Sequence, residues 1–204
     1  MLVLFLILLL AIIAFFKTDV KDKFIKPKYE DVIKSDIDYD SDGLDDYTDI
    51  LKGAKDFIST KPKYKSKYYD GGYPTDEYRV CTDIIWYALK NAGYDFKTLI
   101  DEDIKNNKDE YDEDVGDTNI DFRRVRNIKV YLDRNALKLA NDSDFNPGDI
   151  VVYKKHIAIV SDKVNSKNEN YILHQHMYQA YEYDGLFKSE ILGHYRWRLN
   201  DGKE

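Results

Sequence analysis

A single turn, NPGD at Asn146–Asp149, divides this sequence into two textures and limits the folds open to it. Ahead of the turn, apolar residues recur at helical spacing. After it come four short β-branched and aromatic runs, DIVVYK, HIAIVSD, NYILHQH and GHYRWRL, which read as strands separated by turns. Helices followed by consecutive strands predict an α+β fold, with an antiparallel sheet packed against a helix. Two helices are expected in the first part. One runs from Leu44 to about Ile58, through Ile50, Leu51, Ala54 and Phe57. The other carries Ile84, Ile85, Ala88, Leu89 and Ala92 on one side and stops at Gly93. Val125, Ile128, Val130, Leu132 and Leu137 suggest a further helix or extended segment. Lys61–Pro74, with its lysines, tyrosines and Gly71-Gly72 pair, reads as a loop, and Asp101–Asp117 reads as a solvated loop or helix face.

The chain begins with an unbroken apolar run from Leu2 to Phe16. A spanning helix needs roughly 20 apolar residues, and a signal peptide's apolar region runs roughly 7–15 before a small-residue cleavage site. The run lacks a preceding basic residue and a following Ala-x-Ala. Residues 1–16 are therefore expected to be a short signal anchor or transmembrane segment, with residues 17–35, which include Pro27, as a tether. That places residues 50–200, as one domain, on the extracellular side of a membrane or in the secreted fraction. The formal charge is −7, but seven acids lie between Asp36 and Asp49 and the remainder is balanced. No basic field of the kind that drives nucleic-acid binding is present.

That local acidity has a pattern. DYDSDGLDDYTD places Asp38, Asp40, Asp42, Asp46 and Asp49 at the first, third, fifth, ninth and twelfth positions of an EF-hand-like loop spanning residues 36–49. Gly43 falls where such a loop turns sharply, and the Leu44 carbonyl would add a further oxygen. Calcium, held structurally, is the expected ion. Asp49 stands where the motif has glutamate, as in the dockerin repeats that this loop also resembles.

Cys81, in YRVCTDIIWYALKNAG, is the chain's one cysteine and precedes the second helix. It cannot form an internal disulfide, so it is a packed thiol, a dimerising thiol, a metal ligand or a nucleophile. Free cysteines are often simply buried. All four histidines lie in the strand-rich part. His156 opens one strand and His174 ends the next, so the two can face one side and meet the cysteine helix. His176 and His194 lack the close spacing expected of a zinc site with Cys81.

Cys81 opening a helix, followed in order by PGDIVVY, HIAIVSD and YILH, resembles the NlpC-type papain-like cysteine peptidases, which cleave the peptide stems of bacterial cell walls. The longer run from YYDGGYP through VCTDIIWYALKNAGYD, NIDFRRVRN and GHYR is similar to a bacterial family of unknown function numbered 1287, over about Lys52–Arg196. The resemblance implies a papain-like fold and a cysteine hydrolase with Cys81 as nucleophile, His156 as general base and His174 as third polar residue. Tyr68 or Tyr69 would sit on the oxyanion side. The implied substrate is a peptidoglycan peptide or a related small amide. A calcium-dependent binding module of the same fold and an acyltransferase or thioesterase are the alternatives. Arg123 and Arg124 could bind substrate carboxylates or instead pair with Asp121 and the acidic segment. The chain departs from the peptidase pattern at CTD, where Asp83 would oppose a thiolate, and at Ala158, which replaces a glycine.

Overall fold

A computed structural model describes residues 33–198. The apolar segment 1–16 and the tether as far as residue 32 lie outside the described residues. Among those described, no helix is long and apolar enough to cross a membrane.

Helix α1 spans Asp46–Ser59 and starts at Asp45, whose carboxylate accepts from the Thr48 amide at 3.3 Å. Its buried stripe of Ile50, Ala54 and Phe57 faces α2, Asp83–Asn91, which buries Ile84, Ile85, Ala88 and Leu89. Helix α3, Phe96–Asn106, extends into the segment read as a solvated acidic stretch. Its signal was present in the sequence: Asp95 caps it through Thr98, and Phe96, Ile100 and Ile104 recur every four residues and are buried. Helix α4, Val125–Asn135, settles the ambiguous segment as helical, since Ile128, Tyr131 and Leu132 share its buried face.

Strands β1 (Lys63–Tyr64) and β2 (Tyr78–Arg79) form a small parallel pair. The main sheet contains β3 (Leu137–Leu139), β4 (Ile150–Tyr153), β5 (His156–Val164), β6 (Asn170–Gln175), β7 (Ala180–Tyr183) and β8 (Ile191–Arg196). Their order is β3-β8-β4-β5-β6-β7, every neighbouring pair antiparallel. The α+β class and the antiparallel sheet are as expected; β3 and β7 were not anticipated.

Two apolar layers sandwich this sheet. Ile150, Val152, Ile157, Ile159, Leu173 and Tyr195 point toward the helices. The alternate residues Val151, Tyr153, Ala158, Val160 and Ile172 pack with Leu186 and Ile191 on the opposite face. Burial on both faces explains why IVVY is continuously apolar, without the alternation of a half-exposed strand. Each large aliphatic side chain withdrawn from water here contributes ~1.5–3 kcal/mol.

The dividing turn is itself a buried polar junction. Gly148 has φ +94°, and a Cβ there would lie 2.9 Å from the Tyr47 carbonyl oxygen, so the position requires glycine. Asp149 accepts from the Asn146 amide at 2.8 Å and from Arg196 Nε and Nη2 at 2.8 and 2.9 Å. His194 Nε2 lies 2.9 Å from the same carboxylate, and its Nδ1 lies 2.7 Å from the Ala140 carbonyl. The ring stacks on Phe145 at 4.2 Å. This network ties the turn to β8 and, through Asn146, to the backbone of Ile33.

Candidate active site

Cys81 sits in the turn between β2 and α2, one residue before the N-cap Thr82, whose hydroxyl donates to the Arg123 carbonyl at 2.9 Å. The sulfur is packed against the helical core. The Ile157 amide points at it, as do the amides of Thr82 and Cys81 itself. The thiol therefore abuts β5 one residue beyond His156. Burial, the dominant effect, together with the Asp83 charge, outweighs those amides and pushes the thiol up to about 11, so the resting group is a neutral thiol.

His156 and His174 are brought together: His156 Nε2 lies 2.8 Å from His174 Nδ1. Both rings project from the sheet face opposite α2, because His156 alternates with Ile157 and His174 with Leu173, which point to the helices. Among the described residues, no hydrogen bond joins the Cys81 sulfur to an imidazole. The thiol packs with the helix-side core, whereas the His156 ring stands on the far face beside Tyr153. Tyr153 stacks on His156 at 6.2 Å, while Tyr181 and Tyr183 enclose His174 at 4.8 and 5.6 Å. Burial, followed by the influence of His176, pushes His156 down to about 4. Burial and the neighbouring His156 and His176 rings push His174 down to about 3. Both rings are accordingly neutral near pH 7.

Asp83 is held by its own partners. It pairs with Arg123 through two parallel bonds, Nε to Oδ1 at 2.8 Å and Nη2 to Oδ2 at 2.9 Å, with both side chains almost wholly buried. The Trp86 indole and the Val80 amide complete its shell at 2.9 and 2.7 Å. The guanidinium also donates to the Lys67 carbonyl at 3.0 Å and lies over the Tyr69 ring. Arg123 thus anchors the loop before Cys81 from within. A partner could have been anticipated, because an aspartate on the apolar face of a helix needs a buried counter-charge. Arg124 pairs with Asp121 at 3.2 Å and with Asp114, and Arg126 pairs with Asp112 and Asp114, the acidic segment foreseen as their alternative. Tyr69 donates to Asp76 at 2.7 Å, and burial, followed by that hydrogen bond, raises it to about 12. Tyr68 is exposed and interacts with Asp117 and Asn119.

The acidic loop lies at the opposite end of α2. Asp38, Asp40 and Asp42 each offer an oxygen within 4.8 Å of the others, and all three are exposed. Asp38 accepts from the Asp42 and Gly43 amides at 3.1 and 3.0 Å, and Gly43 takes φ +95° at the sharp turn. Asp46 turns to the Tyr39 amide at 3.0 Å and to the Tyr94 hydroxyl. Asp49 is buried, accepts weakly from Asn91 at 3.4 Å, and is pushed up to about 6 by burial and by Asp42, Asp40 and Asp38. Three of the five predicted carboxylates therefore cluster, while Asp46 and Asp49 begin α1 with protein partners.

A sequence profile described as "Domain of unknown function (DUF1287)" matches residues 51–197. The chain is 33% identical over 164 residues to "Uncharacterized protein YijF" of Escherichia coli (strain K12), an alignment covering 72% of this chain and 80% of that relative. No solved structure matches. With the profile spanning most of its length, from within α1 to the residue after β8, the chain belongs to the DUF1287 family.

Proposed function

We propose that the protein is a cysteine hydrolase of papain-like, NlpC-type fold, acting on an amide bond of a cell-wall peptide or a related small amide. The observation that carries this reading is the His156–His174 pair, with the Cys81 thiol abutting the backbone of β5 one residue beyond His156. Nε2 of His156 faces His174 at 2.8 Å, which leaves Nδ1 to accept a proton. The Cys81 sulfur lies against the amide of the next residue, Ile157. In the proposed reaction Nδ1 takes the thiol proton as sulfur attacks the amide carbonyl, and the backbone amides gathered around Cys81 steady the oxyanion. Protonation of the leaving amine by His156 gives an acyl-enzyme, which water then releases. The attack requires the sulfur and imidazole to close on each other, a contact that commonly tightens only with substrate bound.

A binding module of the same fold is the second reading, favoured by the raised thiol pKa and by the absence of a Cys81–imidazole hydrogen bond. A fluorophosphonate-free, thiol-directed activity probe separates the two. The hydrolase reading expects labelling at Cys81 that His156→Ala suppresses, followed by wall fragments detectable by mass spectrometry. Labelling indifferent to His156→Ala would overturn it.

In either reading the Asp38–Asp42 loop is proposed to bind calcium as a structural ion. The three exposed carboxylates and the tight turn at Gly43 fit a hard cation that takes six to eight oxygens. Calorimetry at millimolar calcium should give a saturable signal that Asp40→Ala removes. The apolar segment 1–16 would hold the domain on the outer side of the membrane.

A further inference from the structure

Two buried ring nitrogens in the histidine cluster have no hydrogen-bond partner: Nε2 of His174 and Nδ1 of His176. They belong to neighbouring rings, with centroids 5.8 Å apart. Most other surroundings of His174 are ring contacts. Tyr181 packs edge-to-face and Tyr183 stacks almost parallel, holding the imidazole by its faces.

Proton counting turns these two orphans into a pair. If His156 is to receive a thiol proton on Nδ1, its own proton must reside on Nε2 and be donated to His174 Nδ1. His174 must then carry its proton on Nε2, the orphaned atom. With the opposite tautomer, His174 donates from Nδ1, His156 holds its proton on Nδ1, and the base is blocked. The side that wins is set by what receives the His174 Nε2 proton.

We propose that His176 is a positioning residue. Its Nδ1 accepts from His174 Nε2–H through one bridging water, and thereby selects the tautomer that leaves His156 Nδ1 free. The three histidines then form one directional row, 156 to 174 to 176, ending near the exposed Tyr178. This inference rests on the hydrolase reading for its purpose but not for its chemistry, since the tautomer of His174 is a property of the resting protein.

The test uses the full-length chain with 15N-labelled histidine. Long-range 1H–15N correlation should show His174 protonated on Nε2 and bare on Nδ1. His176→Ala should shift His174 toward the other tautomer and slow alkylation of Cys81 by iodoacetamide about tenfold. His176→Asn, whose amide oxygen can stand near the lost Nδ1, should restore both. A wild-type His174 protonated on Nδ1, or a tautomer unmoved by His176→Ala, would overturn the proposal, as would failure of His176→Asn to recover it. If alkylation is insensitive to His156→Ala while the tautomer responds as expected, the hydrolase reading fails and the His176 assignment stands.

Discussion

His194 on β8 has an acceptor against each ring nitrogen, the Asp149 carboxylate and the Ala140 carbonyl. His174 on β6 has another imidazole against one nitrogen and no hydrogen-bond partner on the other. Both rings are buried in the same sheet, on β8 and β6, which β4 and β5 separate in its order. Around His194 a carboxylate and a guanidinium fix the local charge, and the ring is one strut in a network joining the NPGD turn to β8. Among the described residues no carboxylate bonds to His156 or His174, tyrosine rings pack against both, and burial keeps the imidazoles neutral near pH 7. A histidine held by an oxygen partner at each ring nitrogen serves the fold. A histidine whose protons have several near-equivalent places to sit suits chemistry.

Substitutions can break or sharpen this contrast. The largest effect is expected at the ionic end. Asp149→Ala leaves Arg196 buried without its counter-charge and His194 Nε2 without its hydrogen-bond partner, and should cost ~3–5 kcal/mol in urea unfolding. His174→Ala should cost clearly less, and an equal loss would erase the distinction. At the other end, the proposed hydrolase reading expects His156→Ala to lower turnover of a wall peptide about 10²–10⁴-fold while barely moving the thermal midpoint.

The pH dependence is the next test. His156 falls to about 4 and His174 to about 3 in the folded chain, below the ordinary value of 6.5. The unfolded chain therefore binds more protons across the interval between them, so stability is fully present above about 6.5 and is lost as pH falls toward 4. Urea titrations between pH 4 and 7 should show this slope, and His174→Gln should flatten it. The smallest effect is expected at Arg124, which is partly exposed and ion-paired: Arg124→Ala should change stability by less than ~1 kcal/mol. A rise in KM with kcat unchanged would then mark it as a substrate contact.

Much of the framework was legible in the residues. The β-branched runs after NPGD announced four of the six main strands, and the helical spacing around Ile84 and Ile85 announced α2. β7 was hidden because AYEY alternates too briefly to stand out from a tyrosine-rich background, and β3 because its three residues lie mostly exposed. The pairing of His156 with His174 was foreseen. The sheet face they occupy was not, since it depends on which alternate residues the helices cover.

The sequence by itself determined the class of fold, the family and the chemistry-bearing side chains, because periodicity, turn residues and motif order are local properties of the chain. Tertiary structure alone decided their roles. It placed Arg123 beneath Asp83 rather than before a substrate, locked His194 between the Asp149 carboxylate and the Ala140 carbonyl, and left His174 and His176 with buried nitrogens facing no partner. The physical reason is that a side chain's charge, tautomer and proton affinity depend on burial and on neighbours that are distant in sequence, and only the packed chain brings those together.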